Sequence, residues 1–145
     1  MAVINLLDTA QRGGPEMNIA ERLETIRQAV PGCALVAFGD LGSKLVLRSS
    51  STVQHPQEYL DQLCAQANHG FYLQDALLEQ NTPRGHNAGE VMVVTVQETR
   101  IFIRTPDADR TAASDAILCV CDSEQAARDL VAPAKQLLID LCRGA

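Results

Sequence analysis

"VAFGDLGSKLVLRSS", Val36 to Ser50, is the stretch on which the fold turns. Two apolar runs flank a centre of Gly39, Asp40, Leu41 and Gly42, with Lys44 and Arg48 beyond it. A glycine turn cradles phosphate when it leads from a strand into a helix, so that helix amides and a lysine meet the anion. Here both sides read as strand. "CALVAF" before the turn is apolar at every position, as in a strand covered on both faces. "SKLVLRSS" after it alternates, with Leu45 and Leu47 on one side and Lys44, Val46 and Arg48 on the other. The spacing G-x-x-x-x-G-K-[ST] is absent. The stretch reads as a β-hairpin, its Gly and Asp supplying the positive φ of the turn and its charged row marking an edge strand.

Upstream, "NIAERLETIRQAVPG" places Ile19, Leu23, Ile26 and Val30 on one helical face, with Asn18 as N-cap and Pro31-Gly32 as the stop. Downstream, "HPQEYLDQLCAQANHGFYLQDALLEQ" predicts a long helix opened by Pro56. Gly70 in its middle implies a break or a close packing contact. "EVMVVTVQETRIFIRTP" predicts a second hairpin, its first strand apolar on both faces and its second alternating Arg100-Phe102-Arg104 against Ile101-Ile103. "AILCVC" is another two-faced apolar run. "DSEQAARDLVAPAKQLLIDLCRG" predicts a closing helix that Ser123 caps and that Pro133 should kink or deprive of a hydrogen bond. "NTPRGHNAG" and "DADRTAASD" read as polar loops. The order α-β-β-α-β-β-β-α predicts one α/β domain of three layers, α/β/α, around a five-stranded, mainly antiparallel sheet. Residues 16–145 form that domain and residues 1–15 an N-terminal arm.

The 145 residues suit one hydrophobic core, and 46% apolar content suits a globular chain. With aromatics at 3%, a net charge of -6 and no basic cluster, nothing is present to stack bases or release phosphate counterions, which argues against nucleic acid. No apolar run approaches the roughly 20 residues of a membrane span. The five cysteines, Cys33, Cys64, Cys119, Cys121 and Cys142, are odd in number and irregular in spacing, as expected of reduced thiols in a cytoplasmic protein.

Candidate chemistry is sparse. Cys119 and Cys121 form C-x-C on one strand face, half of a soft-metal site or simply core. His55, His69 and His86 share no spacing with one another or with a nucleophile. "DADRTAASD" lacks the glycine and glutamate of a calcium loop. No acid, base and nucleophile converge, so the expectation is no enzyme, no cofactor and no metal. The long helix carries Tyr59, Phe71 and Tyr72, three of the chain's five aromatics, which makes a surface a better candidate than a pocket.

In this order of elements the chain resembles the roadblock / dynein light chain family, with its profilin-like build. The resemblance rests on "ALVAFGDLGSKLVLRSSS", on "CAQANHGFYLQDALLEQ", on "GEVMVVTVQETRIFIRTPD" and on "AILCVCDSEQAARDLVAPAKQLL", and covers roughly Asn18 to Arg143. It implies a homodimer whose interface lies on the middle helix and the strand after it, at Tyr59, Leu63, Ala67, Val91, Val93 and Thr95. It also implies a non-catalytic scaffold or regulator of a small Ras-like GTPase. Two other readings remain open. An acidic dimeric chaperone of secreted effectors would show a third strand in "SSSTVQ", and a small-ligand sensor would show a sizeable internal pocket.

Overall fold

The computed structural model describes residues 18–81, 89–105 and 114–144. The N-terminal arm, His86 and most of the two polar loops lie outside these residues. Asn18 opens the first helix, α1 (Ile19–Ala29): its backbone is extended and its side-chain oxygen accepts the Ala20 N–H at 2.9 Å. The exit after Val30 needs glycine. Gly32 has φ +91°, and a Cβ there would fall 2.3 Å from the Asp122 carboxylate.

There follow β1 (Cys33–Asp40), β2 (Leu45–Ser51), α2 (Gln57–Asn81), β3 (Glu90–Val94), β4 (Thr99–Arg104), β5 (Asp115–Cys121) and α3 (Glu124–Gly144). The order of elements is the expected one. The strands lie β2-β1-β5-β4-β3, and every pairing is antiparallel. One face of the sheet, with Val36, Phe38, Ile101, Ile103 and Ile117, packs on α1 and α3. The other, with Leu35, Ala37, Phe102, Leu118 and Val120, packs under Leu60, Leu63, Cys64, Ala67 and Phe71 of α2. β1 and β5 are interior strands, which is why their sequences are apolar on both sides. Ser51 ends β2 and the chain turns at Thr52 and Val53, so two strands precede α2 and three follow it.

The hairpin is present, but its chemistry differs from the expectation. The positive φ falls on Lys44 (60°) and not on Gly or Asp of the turn. Asp40 acts by hydrogen bonding instead: its carboxylate accepts from the backbone and hydroxyl of Ser43 and from the Ser114 hydroxyl. Those bonds, Ser114 first, hold the Asp40 carboxyl below its usual range. β2 is an edge strand as expected, but its alternation breaks at a bulge: Val46 pairs with Gly39 and Arg48 with Phe38, so Val46 faces α2 and Arg48 the opposite side of the sheet. Val46 is buried beneath α2, while Leu45 and Leu47 are the half-exposed pair. The N-terminal part of α2 lies over this strand and covers Val46.

α2 runs unbroken through Gly70, and α3 through Pro133. At Gly70 the second of the two expectations holds, close packing rather than a break: a Cβ there would sit 3.0 Å from Val91 Cγ1. Ser123 caps α3 by accepting the Ala126 N–H at 3.1 Å.

Candidate functional site

The two ends of α2 treat the two edges of the sheet differently. At its N-terminal end, Asp61 accepts the Val46 N–H of β2 at 2.9 Å and Gln57 donates to the Val46 carbonyl at 2.9 Å. Side chains thus satisfy outward backbone groups on that edge, which blunts it against further strand pairing. At its C-terminal half, α2 lies against the opposite edge, β3. There Gln74 donates to the Glu90 carbonyl at 2.7 Å, and Glu90 pairs with Lys135 of α3.

Beyond Glu90 the β3 edge is apolar. Arg104 donates its N–H to the Gly89 carbonyl and Thr95 donates to Glu98, both at 2.9 Å, which fixes the phase of the ladder to β4. By the alternation of antiparallel pairs, Val91 and Val93 bond inward and the backbone groups of Met92 and Val94 point outward. Beside this strand a groove of about 600 Å³ runs along α2, lined by Gly70, Leu73, Leu77, Val91 and Val93 among others. Tyr72, Leu73, Leu77 and Val94 are 69%, 48%, 62% and 55% exposed. An edge strand with the composition of an interior one, next to a helix with a second apolar face, makes a contiguous apolar patch.

Arg104 anchors the helix over this end of the sheet. It is buried, stacks on Phe71 at 4.3 Å and bonds to Asp75 at 2.6 Å. Arg100 reaches Gln66 at 2.9 Å and Glu98 at 2.7 Å. Both arginines lie on the α2 side of the sheet with Phe102, as their alternation predicts.

The interface residues expected from the sequence divide into three groups. Leu63 and Ala67 are 1% and 0% exposed and face the chain's own sheet, so they have no surface to offer another molecule. Tyr59 stacks on His55 at 4.4 Å at the β2 end of α2, across the sheet from β3, so it shares no patch with Val91 and Val93. Val91, Val93 and the exposed Thr95 do lie at the β3 edge. Tyr72, already singled out in the sequence as part of a candidate surface, joins Leu73 and Leu77 in a second apolar stripe displaced around α2 from the buried one.

The cysteines of the C-x-C pair share a face, as their spacing predicts, and pack in the α1/α3 core with Cys33. Burial pushes the Cys119 thiol well above its ordinary value, and burial with nearby carboxylates takes Cys64 to about 11. Among the described residues no three His, Cys, Asp or Glu side chains are placed to hold a metal. His69 is exposed on α2.

Neither a protein-family model nor a curated protein matches the sequence. Solved structures do match the fold. A Roadblock/LC7 domain from Streptomyces avermitilis superposes with a TM-score of 0.68 at 12% identity, over 88% of this chain and 97% of that one. The gliding protein MglB from Thermus thermophilus gives 0.57 at 12% identity, over 83% and 87%. A structure of MglB with a tetrameric arrangement gives 0.54 at 15%, over 80% and 87%. The chain has the roadblock fold.

Proposed function

We propose that this chain is a non-catalytic interaction module that pairs with a second copy of itself through β3 and the adjoining face of α2. In that form it engages a small Ras-like GTPase as regulator or scaffold, in the cytoplasm. The observation that carries the self-association is the mismatch at β3. Its Val91, Met92, Val93 and Val94 have the two-faced apolar composition of a central strand, yet among the described residues it ends the sheet. Antiparallel pairing with its copy would satisfy the outward groups of Met92 and Val94 and bury the exposed α2 stripe. An MglB structure with a tetrameric arrangement, sharing this fold, is in keeping with an assembling module.

The GTPase follows from the family that the chain resembles, in which bacterial members serve Ras-like GTPases without contributing chemistry of their own. The test is calorimetric titration of the purified chain with Ras-like GTPases of its own genome, each loaded with GDP or with a non-hydrolysable GTP analogue. Binding to one nucleotide state over the other supports the regulator reading. Absence of binding to any of them in either state removes the GTPase and leaves the self-association to be judged separately.

A further inference from the structure

Cys33 and Cys121 sit directly opposite one another on β1 and β5. Asp122 donates its N–H to the Gly32 carbonyl at 2.9 Å, so Gly32/Asp122 is the hydrogen-bonded pair and Cys33/Cys121 the neighbouring non-bonded one. Such pairs bring Cα atoms to about 4.5 Å, at the near end of the roughly 4.4–6.8 Å range that a disulfide spans. Both side chains point to the α1/α3 face, and the Cys33 thiol donates to the Leu35 carbonyl at 3.6 Å. Immediately after Cys33 the register slips, Leu35 pairing with Val120, and this bulge gives the backbone room to adjust.

The pair is buried, Cys33 at 7% and Cys121 at 2% exposure, but it borders solvent. Cys33 and Cys121 line a surface groove of about 450 Å³ with Gly32, Ala34, Glu98 and Asp122. Cys119 is fully buried, Cys64 lies on the α2 face, and Cys142 is exposed on α3. We infer that Cys33 and Cys121 are a redox-active thiol pair, which a small disulfide reaching the groove oxidises to a cross-strand disulfide.

The two sulfurs have different roles. The neighbouring Cys121 thiol holds the Cys33 thiol below its ordinary value against the effect of burial, with Arg27 adding to it, whereas Cys33 and burial push Cys121 up. Cys33, the more exposed of the two at 7% against 2%, is the attacking thiol. Its sulfur bonds to one sulfur of the incoming disulfide, whose S–S bond breaks and whose other half leaves as a thiol with the Cys33 proton. Cys121 then attacks the Cys33 sulfur and expels the second half, which takes the Cys121 proton. Two protein thiols are oxidised and one small disulfide is reduced to two thiols. The product ties the exit of α1 to the entrance of α3.

The test incubates the folded full chain with oxidised glutathione, blocks remaining thiols by alkylation and maps trypsin fragments by mass spectrometry. The expected product links the fragment 28–44 to the fragment 111–128. It should form in wild type, C119S and C142S, be absent from C33S and C121S, and be reversed by dithiothreitol. The link should raise the thermal midpoint by about 10 °C, because it closes a loop of roughly 90 residues. No link in the wild type while Cys142 takes up glutathione overturns the inference. So does a link that survives in C121S, which would assign the chemistry to Cys119, or one that forms only in urea.

Discussion

Replacing Gly70 by alanine tests whether α2 is pinned onto the β3 edge. In an ordinary helix interior the change gains about 1 kcal/mol, because glycine has more backbone freedom to lose. Here the new methyl carbon would fall 3.0 Å from Val91 Cγ1, inside ordinary van der Waals contact. Val91 cannot simply rotate away, since it packs against the α2-side core and faces Phe102 across the ladder. Overpacking of this kind costs about 1–3 kcal/mol. The clash outweighs the propensity gain, and Gly70→Ala should destabilise the chain by about 1 kcal/mol in urea unfolding at fixed protomer concentration. With Val91→Ala already in place the clash is gone, and the same change should stabilise by about 1 kcal/mol. The double-mutant cycle should therefore show a coupling of about 2 kcal/mol. If Gly70→Ala stabilises the wild-type background and the coupling is nil, the helix does not press on β3 and the reasoning fails.

Leu63→Ala should cost about 3 kcal/mol in the same assay, because the side chain is fully buried, whereas Leu73→Ala should change the separated monomer by no more than about 0.5 kcal/mol. Pro133→Ala should stabilise by about 1–3 kcal/mol, since it restores a helix N–H in the interior of α3; a loss of thermal stability would show that the proline shapes the helix for packing. Asp115 lies opposite Asp40 across β1 and β5, and its pKa is raised from 3.8, by burial first and the Asp40 charge second. The ionised form is thus disfavoured in the folded chain. Asp115→Asn should stabilise at neutral pH by less than about 1 kcal/mol, and the gain should fade as pH drops through the raised value and vanish below 3.8. Urea midpoints measured across that range check the sign, and a gain that grows in acid would contradict it.

Much of the fold was legible because each element advertises its environment locally. Asn18 caps α1, the stripe at Ile19, Leu23, Ile26 and Val30 marks its buried face, and "CALVAF" and "AILCVC" read as interior strands and are interior. β3 misled for an instructive reason. Its two-faced apolar run has the sequence of a central strand, and the residues that would cover its outer side are not supplied by the described chain. At Leu63 and Ala67 of the candidate interface, helical spacing identifies an apolar stripe without saying what covers it, and here the chain's own sheet does. α2 has two such stripes, one under its own sheet and one at Tyr72, Leu73 and Leu77. The hairpin turn was read correctly as a turn, but the positive φ moved to Lys44, because Asp40 is held by Ser43 and by Ser114, a residue 74 positions along the chain. The opposed pair of Cys33 and Cys121 was equally invisible, since register joins residues that spacing does not.

The self-association through β3 is tested most directly by light scattering on the purified chain, its Leu73→Arg variant and its Val94→Pro variant. Leu73→Arg places a charge on the exposed α2 stripe. Val94→Pro removes an outward N–H from the edge and leaves the inward ladder intact. The wild-type mass should be twice that of the 15.7 kDa chain, falling to one chain in both variants with far-UV circular dichroism unchanged. A wild-type monomer, or a dimer that both folded variants keep, would contradict pairing through this edge.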